Sequence, residues 1–252
     1  MNKSQGQKCI PSLPQVPRLS TTFASLKNTT MSKLEVIHEN KGYILINKAA
    51  GLISEQSPFE ELTAESQVQK HLQASKREPY VGVIHRLDRV TSGVLLFAKK
   101  KSVLVAFNEL FSSRKVQKTY WAIVHKKPAQ NKETLTHFLF KNNFKKQAEI
   151  VPAHTKGAQK CSLSYRVLEQ NNLGYLLEIK PKTGRFHQIR AQLAHIGLPI
   201  IGDEKYGSDQ KYAALSICLH ARKLTYTPAE SNESISYEAP APRNKYWKFK
   251  SI

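Results

Sequence analysis

The sequence predicts an α+β fold with a mixed, mostly antiparallel central sheet and flanking helices. Strand-sized apolar segments outnumber helical patterns, and the two do not alternate regularly as they would in a doubly wound fold. No internal repeat is present. The 252 residues suffice for one domain of ordinary to large size, or for one domain plus a tail.

Residues 1–33 differ from the rest of the chain. They contain no Asp or Glu, are rich in Ser, Thr, Pro, Gln and Asn, and show no apolar periodicity. Because such a segment buries little apolar surface, we expect a disordered N-terminal tail and a folded domain over residues 34–252. The alternatives are an upstream start, with Met31 as the true beginning, and an organelle transit peptide.

Alternation and capping signals place the first elements of this domain. Two short strands are expected around the turn in residues 34–51. Thr63 is a candidate cap for a helix that reaches Ala74 and carries Val68 and Leu72 on one face. A second helix, capped by Ser102, would place four apolar residues on one face: Val103, Phe107, Leu110 and Phe111.

The second half of the chain also contains clear strand and helix patterns. Strands are expected in VQKTYWAIV, LTHFLF, CSLSYRVL and YLLEIKP, with a polar region, KNNFKKQAEIVPAHTKG, between the second and the third. HQIRAQLAHIG predicts a helix with Ile189, Leu193 and Ile196 inward and Gly197 just past its end. The remainder predicts short strands and loops.

Charge is the strongest global feature of the sequence. The formal net charge is +20, and such a field attracts polyanions, of which nucleic acid is the leading candidate. An anionic membrane surface and a basic protein without a polyanionic ligand are the alternatives. No segment approaches the roughly 20 apolar residues of a membrane span and no basic amphipathic helix stands out, so no membrane partner is expected. The scattered Cys9, Cys161 and Cys218 favour a reducing compartment over a zinc or disulfide framework.

The first candidate site is VIHRLDRVTSG, which lies between two apolar strands. Asp88 is the only acid between Glu78 and Glu109 and is flanked by Arg86 and Arg89. A nearby arginine would lower the pKa of this carboxyl by roughly 1–3 units and keep it charged, which suits a nucleophile. A metal site would need more acids. A structural ion pair on a surface loop is the simpler alternative.

Two further segments carry candidate functional residues. In KTGRFHQIR, the residues Arg185, His187 and Arg190 cluster where a helix begins, an arrangement that suits a phosphate or a partner carboxylate. The alternative is a basic, solvated helix face. In KTY, Tyr120 enters a strand within a basic region, which suits base stacking in a nucleic-acid groove, although such an aromatic is more often a core residue.

Three segments of the chain, taken in order, resemble the RluA-type RNA pseudouridine synthases. They are HRLDRVTSGVLLFAKK, KTY and LLEIKPKTGRFHQIRAQLAHIGLPIIGDEKYG. The resemblance extends from about Leu34 to the C-terminus, and the pairing of HRLD-xx-TSG with TGRxHQIR is specific. It implies the pseudouridine synthase fold with a basic catalytic cleft. It also implies base flipping and isomerisation of uridines in tRNA or rRNA, with no metal or organic cofactor.

The resemblance also implies roles for individual residues. Asp88 matches the catalytic aspartate, Tyr120 the tyrosine that stacks on the uracil and serves in proton transfer, and Arg185 the arginine that pairs with the aspartate. Arg86 matches the residue that fills the gap left by the flipped nucleotide. Four further residues of the same motifs are expected to bind RNA or substrate: His85, Thr91, His187 and Arg190.

Two departures from the family pattern concern rigidity and RNA selection. The early NKPxG motif is NKAAG here, with Ala49 in place of proline, which would make that loop less rigid. No separate RNA-binding domain of the S4 type is expected, so RNA selection would fall to the catalytic domain, with Lys141 to Lys160 as a candidate contact region. We expect a cytoplasmic monomer.

Two other classes of function are weaker interpretations. An RNA-binding or ribosome-assembly factor on the same fold would be expected to lose Asp88, Tyr120 or Arg185, yet all three are present. A hydrolase would need clustered acids or histidines for a metal, or two carboxylates for glycoside cleavage, and the motif offers one carboxylate.

Overall fold

A computed structural model describes residues 34–250 apart from 76, 229, 230 and 232. The predictions for residues 1–33 and for Cys9 lie outside this part of the chain. The strands are β1 (Val36–Glu39), β2 (Tyr43–Lys48), β3 (Gly82–Val83), β4 (Ser92–Ala98), β5 (Val116–Val124), β6 (Lys132–Asn142), β7 (Gln147–Ile150), β8 (Gln159–Asn171), β9 (Gly174–Pro181), β10 (Leu219–Tyr226) and β11 (Ile235–Glu238). The helices are α1 (Ala64–Gln73), α2 (Lys101–Ser112) and α3 (Gln188–His195), with short 3-10 helices at Glu204–Tyr206 and Lys245–Trp247.

All the described strands belong to one mixed sheet. Its order is β1-β2-β4-β10-β5-β9-β8-β6-β7, with β11 paired to β10 and β3 paired to β4. Among the strand pairs of the described residues, β4 with β10 is parallel and the others are antiparallel. The predicted α+β class with a mostly antiparallel sheet is therefore confirmed.

The central strands are buried on both faces, which explains their continuous apolar runs. In β4, Leu95 and Phe97 pack into one core cluster, while Val94 and Leu96 pack into a second. Helices α1 and α3 contribute Val68, Leu72, Ile189 and Leu193 to the first cluster, and α2 contributes Phe107 to the second. None of the described helices is long and apolar enough to cross a membrane.

The helix boundaries follow the capping predictions in two cases out of three. Thr63 caps α1 in a reciprocal capping box with Ser66, and Gly197, at φ +78°, follows the end of α3 as predicted. The Ser102 cap is wrong. Helix α2 begins at Lys101 after the extended Lys100, which places Ser102 inside the first turn.

The polar region after β6 forms a strand that the sequence did not predict. Residues 147–150 pair with 139–142 as an antiparallel β6–β7 hairpin. The hairpin packs Ala148, which is buried, against a small cluster that includes Leu139 and Ala191 of α3. Lysines and asparagines around the turn hid this apolar contact from pattern analysis.

Gly93 permits the parallel pairing of β4 with β10 at the centre of the sheet. Its φ is +113°, and a Cβ there would lie 2.3 Å from the carbonyl oxygen of Ala221. A side chain is thus excluded both by backbone conformation and by space. This pairing places β10 beside the start of β4, immediately after the loop that contains Asp88.

Replacing Gly93 tests this requirement. Gly93→Ala combines backbone strain with a clash, so we expect a loss of about 2–5 kcal/mol in the free energy of unfolding, measured by urea denaturation. Gly197→Ala is the matched control, since Gly197 also has a positive φ but would place its Cβ in open space. A loss in Gly93→Ala no larger than in the control would contradict the steric explanation.

Candidate active site

One cavity of about 1110 Å³ gathers the residues that the motifs singled out. Its lining contains every site residue expected from the sequence: His85, Arg86, Asp88, Thr91, Tyr120, Arg185, His187 and Arg190. The cavity exceeds the roughly 300–1,000 Å³ typical of small-molecule sites. Among the described residues, the lining contains two acids, Glu55 and Asp88, and six cations: Arg86, Arg89, Lys118, Lys141, Arg185 and Arg190. The cavity therefore favours an anionic ligand larger than a metabolite.

The loop that contains Asp88 is fixed by its own backbone and by one buried serine. Ser54 Oγ donates to the carbonyl of Leu87 at 2.9 Å and accepts from the Leu87 N–H at 3.0 Å. The Thr91 N–H donates to the Asp88 carbonyl at 3.0 Å and closes a turn. Asp88 is thus held in place on both sides.

Lys48 and Arg89 connect the same loop to the NKAAG segment. Lys48 Nζ, almost fully buried, donates to the carbonyls of Ala49, Leu52 and Arg89. Burial lowers the pKa of Lys48 to about 7, while the charge of Asp88 opposes that shift. Arg89 donates from Nε to the Gly51 carbonyl at 2.9 Å and forms an ion pair with Glu60. Arg89, which the sequence left without a role, therefore joins two loops.

Arg190 is the arginine that pairs with Asp88. Its guanidinium binds Asp203 through two hydrogen bonds, Nε to Oδ2 at 2.7 Å and Nη2 to Oδ1 at 2.8 Å. Its Nη1 donates to Asp88 Oδ2 at 3.3 Å. Because Asp203 and Arg190 are both buried, this charge-assisted fork fixes the guanidinium in the direction of Asp88.

The predicted pairing of Asp88 with Arg185 is therefore wrong. Arg185 precedes α3 on an exposed turn, where its N–H and the Thr183 hydroxyl both donate to Gln188 Oε1. Arg190 is the third residue of α3 and points into the interior. Arg185 lines the cavity, but the arginine in contact with the carboxylate is five residues further along the chain.

The pKa of Asp88 is also shifted in the opposite direction to the one expected. Burial of the carboxyl raises its pKa and outweighs the lowering by the charge and hydrogen bond of Arg190. The charge of Asp203 adds to the increase, and that of Lys48 opposes it. Asp88 is thus a desolvated carboxyl whose ionisation depends on the cations beside it.

Tyr120 and Lys118 line the cavity from β5, in the middle of the sheet. Tyr120 pairs with Ala221 of β10 and Ile179 of β9, and its side chain is buried. Burial and the charge of Asp88 both raise the pKa of Tyr120, so the hydroxyl keeps its proton. Lys118, whose pKa burial lowers, lies over the ring of Phe111 at 5.7 Å.

His85 and Thr91 bring unsatisfied polar atoms to the cavity. His85 Nε2 accepts from the Leu96 N–H at 3.3 Å, which leaves the proton on Nδ1. Neither His85 Nδ1 nor Thr91 Oγ1 has a hydrogen-bond partner among the described residues, and both atoms are buried. Buried polar atoms of this kind are usually paired, so the pattern favours a polar ligand.

Arg86 of HRLD and His187 of KTGRFHQIR occupy the rim and the wall of the cavity. Arg86 is two-thirds exposed and forms an ion pair with Glu55. His187 lies deeper, with its Nε2 3.8 Å from Asp88 Oδ2. The exposed Phe186 stacks on the His187 ring at a centroid distance of 3.8 Å, and Lys141 lies over Phe186 at 5.2 Å.

Comparison with known proteins gives a consistent result. Residues 42–195 match the family model of the RNA pseudouridylate synthases. The chain is 34% identical to an uncharacterized RNA pseudouridine synthase of Zymomonas mobilis, over 79% of this chain and 90% of that protein. The chain belongs to the RNA pseudouridylate synthase family.

Other members of the family are similar over most of their length. The tRNA pseudouridine synthase C of Vibrio parahaemolyticus is 29% identical, over 82% of this chain and 90% of the relative. The ribosomal large subunit pseudouridine synthase C of Buchnera aphidicola is 28% identical, over 92% and 74%. The structure of human RNA pseudouridylate synthase domain containing 4 superposes with a TM-score of 0.68 and 28% identity, over 83% of this chain and 89% of that one. The family expected from the motifs is thus confirmed.

Three residues of this pseudouridylate synthase site received no role from the sequence. Lys48 belongs to NKAAG, and Asp203 and Tyr206 belong to GDEKYG, both of which are family motifs. The sequence signal for Asp203 was its acidic side chain within a strongly basic chain. A carboxylate of this kind, if buried, needs a cationic partner. The fully buried Lys48 ends a strand, where burial could not be predicted from alternation.

His85 gives this synthase a measurable dependence of stability on pH. Burial and the charge of Lys118 lower the pKa of His85 to about 3. Below pH 6.5 the unfolded chain therefore binds a proton that the folded chain does not, and stability is lost as the pH falls from 6.5 toward 3. We expect His85→Phe to reduce the slope of unfolding free energy by about 1.4 kcal/mol per pH unit over this window, measured by urea denaturation. Equal slopes would mean that folded His85 takes up a proton.

Proposed function

We propose that this protein isomerises specific uridines in tRNA or rRNA to pseudouridine, with Asp88 as the essential carboxylate. The observation that carries the proposal is the fixed position of Asp88 on the cavity wall, beside Arg190 and near Tyr120. Family membership supplies the reaction class. The tRNA and rRNA substrates named for the relatives supply the candidate substrates.

The reaction needs only the groups that the chain provides. The bond from uracil N1 to the ribose C1′ breaks, a bond from C5 to C1′ forms, and the proton on C5 is replaced by one on N1, so that atoms and electrons balance. Asp88 acts on the flipped nucleotide in its charged form, which Arg190 supports. Tyr120 stacks on the detached base while it rotates and, because it remains protonated, can serve in proton transfer.

Base flipping brings the uridine to Asp88. A stacked base is out of reach, and extruding it costs a few kcal/mol. Arg86, exposed at the rim, is placed to fill the gap in the RNA stack once its ion pair with Glu55 opens. Lys118, Lys141 and Arg185 line the same cavity and provide cations for the flanking phosphates.

RNA selection is assigned to the same domain. We place the catalytic domain in residues 34–252 and RNA contacts in the segment from Lys141 to Lys160, which includes the turn of the β6–β7 hairpin and strand β7. The hairpin turn presents Phe144, almost fully exposed, beside Lys145. An exposed aromatic next to lysines suits stacking on an unpaired base. The proposed form is a cytoplasmic monomer.

Asp88→Asn tests the central assignment. We expect formation of pseudouridine in total RNA, mapped at single-nucleotide resolution, to fall at least about 10³-fold, because the amide cannot act as a nucleophile or base. Asp209→Asn is the matched control, since Asp209 is an exposed acid outside the cavity lining and its loss changes net charge equally. Isomerisation that survives in Asp88→Asn would overturn the role of Asp88.

The two arginines of KTGRFHQIR are expected to act on different kinetic constants. Arg190→Lys retains the charge but cannot bind Asp203 and Asp88 together, so we expect kcat to fall about 10- to 100-fold. Arg185→Ala removes an exposed cation and should chiefly raise KM for RNA, about tenfold. Steady-state kinetics on one modified RNA compares them. A larger loss of kcat in Arg185→Ala would restore the pairing expected from the sequence.

A further inference from the structure

A chain of hydrogen bonds leads from the β6–β7 hairpin to Asp88 through Tyr206 and His187. The Ala148 N–H of β7 donates to the Tyr206 hydroxyl at 2.8 Å. That hydroxyl lies 2.9 Å from His187 Nδ1, and His187 Nε2 lies 3.8 Å from Asp88 Oδ2. Neither Tyr206 nor this order of contacts is needed to bind an RNA phosphate.

From this geometry we infer that Tyr206 and His187 are positioning residues for Asp88. Tyr206 holds His187 in the tautomer with the proton on Nε2, and this N–H orients the Asp88 carboxylate toward the nucleotide. The inference rests on the proposed function for its catalytic consequence. The tautomer itself is a property of the free protein.

Hydrogen-bond accounting at Tyr206 favours this tautomer. The hydroxyl oxygen already accepts from Ala148, so its own proton requires an acceptor, and His187 Nδ1 is within reach. In the opposite tautomer a bare Nε2 lone pair would face the carboxylate of Asp88, and the two would repel each other. The proton on Nε2 satisfies both neighbours.

The surroundings keep both side chains in the required protonation state. Burial lowers the pKa of His187 to about 3, and the charges of Arg190 and Lys205 act in the same direction, so the imidazole is neutral. Burial raises the pKa of Tyr206 to about 12, so the hydroxyl retains its proton. The Arg190 guanidinium lies over the Tyr206 ring at 4.9 Å, and its charge opposes the increase in the pKa of Tyr206.

The backbone and the stacking partner fix the plane of the imidazole. His187 caps α3 in the left-handed region, at φ +50° and ψ +23°, a conformation uncommon for residues other than glycine. Phe186 stacks on the ring with an angle of 19° between planes. A left-handed backbone at a residue other than glycine costs free energy, which the surrounding structure has to offset. Here this conformation directs one ring nitrogen of His187 at the Asp88 carboxylate.

The distance of 3.8 Å is longer than a hydrogen bond, as is common in catalytic groups without substrate. The 3-10 helix that contains Tyr206 is tied to the hairpin by a bond from Gln147 Nε2 to the Lys205 carbonyl at 2.5 Å. RNA bound to the hairpin would therefore act on the same elements that hold His187. Through the hairpin and the 3-10 helix, RNA binding can thus shorten the distance between His187 Nε2 and Asp88 Oδ2.

Nitrogen NMR of the free protein tests the tautomer. With ring-¹⁵N-labelled histidine, His187 is assigned by the signal lost in His187→Gln, and the shifts of a neutral imidazole distinguish bare from protonated nitrogens. We expect bare Nδ1 and protonated Nε2 at pH 7, and a mixture of tautomers in Tyr206→Phe. A protonated Nδ1 in the wild-type protein would overturn the inference, whatever the protein does to RNA.

Kinetics of two substitutions tests the positioning role. The amide nitrogen of His187→Gln reaches the place of Nε2, whereas that of His187→Asn reaches only the place of Nδ1. We expect His187→Asn to lower kcat about 10- to 100-fold relative to His187→Gln. Equal losses in two variants with the same unfolding temperature would count against the role of the Nε2 proton.

The pH profile separates positioning from simple structural support. Donation from His187 favours the charged form of Asp88, so its loss should move the acid limb of kcat/KM to higher pH in His187→Asn. The other charged groups that act on Asp88, which are Arg190, Lys48 and Asp203, remain in that variant. An unmoved acid limb would overturn the contact with the carboxylate. A protein inactive on every RNA, with the expected NMR tautomer, would instead refute the proposed function alone.

Discussion

The site depends on one buried guanidinium shared between two carboxylates. Arg190 uses two of its donors to bind Asp203, which leaves a third directed at Asp88. Removing one partner of such a buried pair typically costs about 3–5 kcal/mol, because the remaining charge is then uncompensated. Arg190 thus stabilises the fold around α3. Its charge also opposes the increase in the pKa of Asp88 that burial causes. In the proposed mechanism, stability and reactivity are therefore linked through this single side chain.

The backbone around Asp88 is as strongly constrained as its charge. Ser54 binds the loop on one side, Lys48 donates to three carbonyls beneath it, and Gly93 allows β10 to approach directly after it. These contacts come from three separate segments of the sequence. A carboxylate on a flexible loop would spend little time in a reactive orientation, whereas here the loop position is set before RNA binds.

Most of the fold was predictable because its elements carry strong local patterns. Strand β5 spans the predicted VQKTYWAIV, and α1 begins at the predicted Thr63 cap. Strand β7 was missed because lysines and asparagines obscure its one buried residue, Ala148. The motifs identified the residues that line the cavity. They could not distinguish Arg185 from Arg190 as the partner of Asp88, because that choice depends on where α3 begins and on the distant Asp203.

The spacing of His187 and Arg190 has a consequence for how mutations elsewhere act on this protein. His187 at the N-terminal cap of α3 and Arg190 in its first turn both lie near Asp88 Oδ2, at 3.8 and 3.3 Å, so the start of α3 meets one carboxylate at two points. A small shift of the helix axis changes both distances together. Packing beneath the helix, at Leu193, therefore affects the position of both side chains beside Asp88. A substitution at the fully buried Leu193 would therefore alter the contacts of Asp88 as well as the stability of the fold.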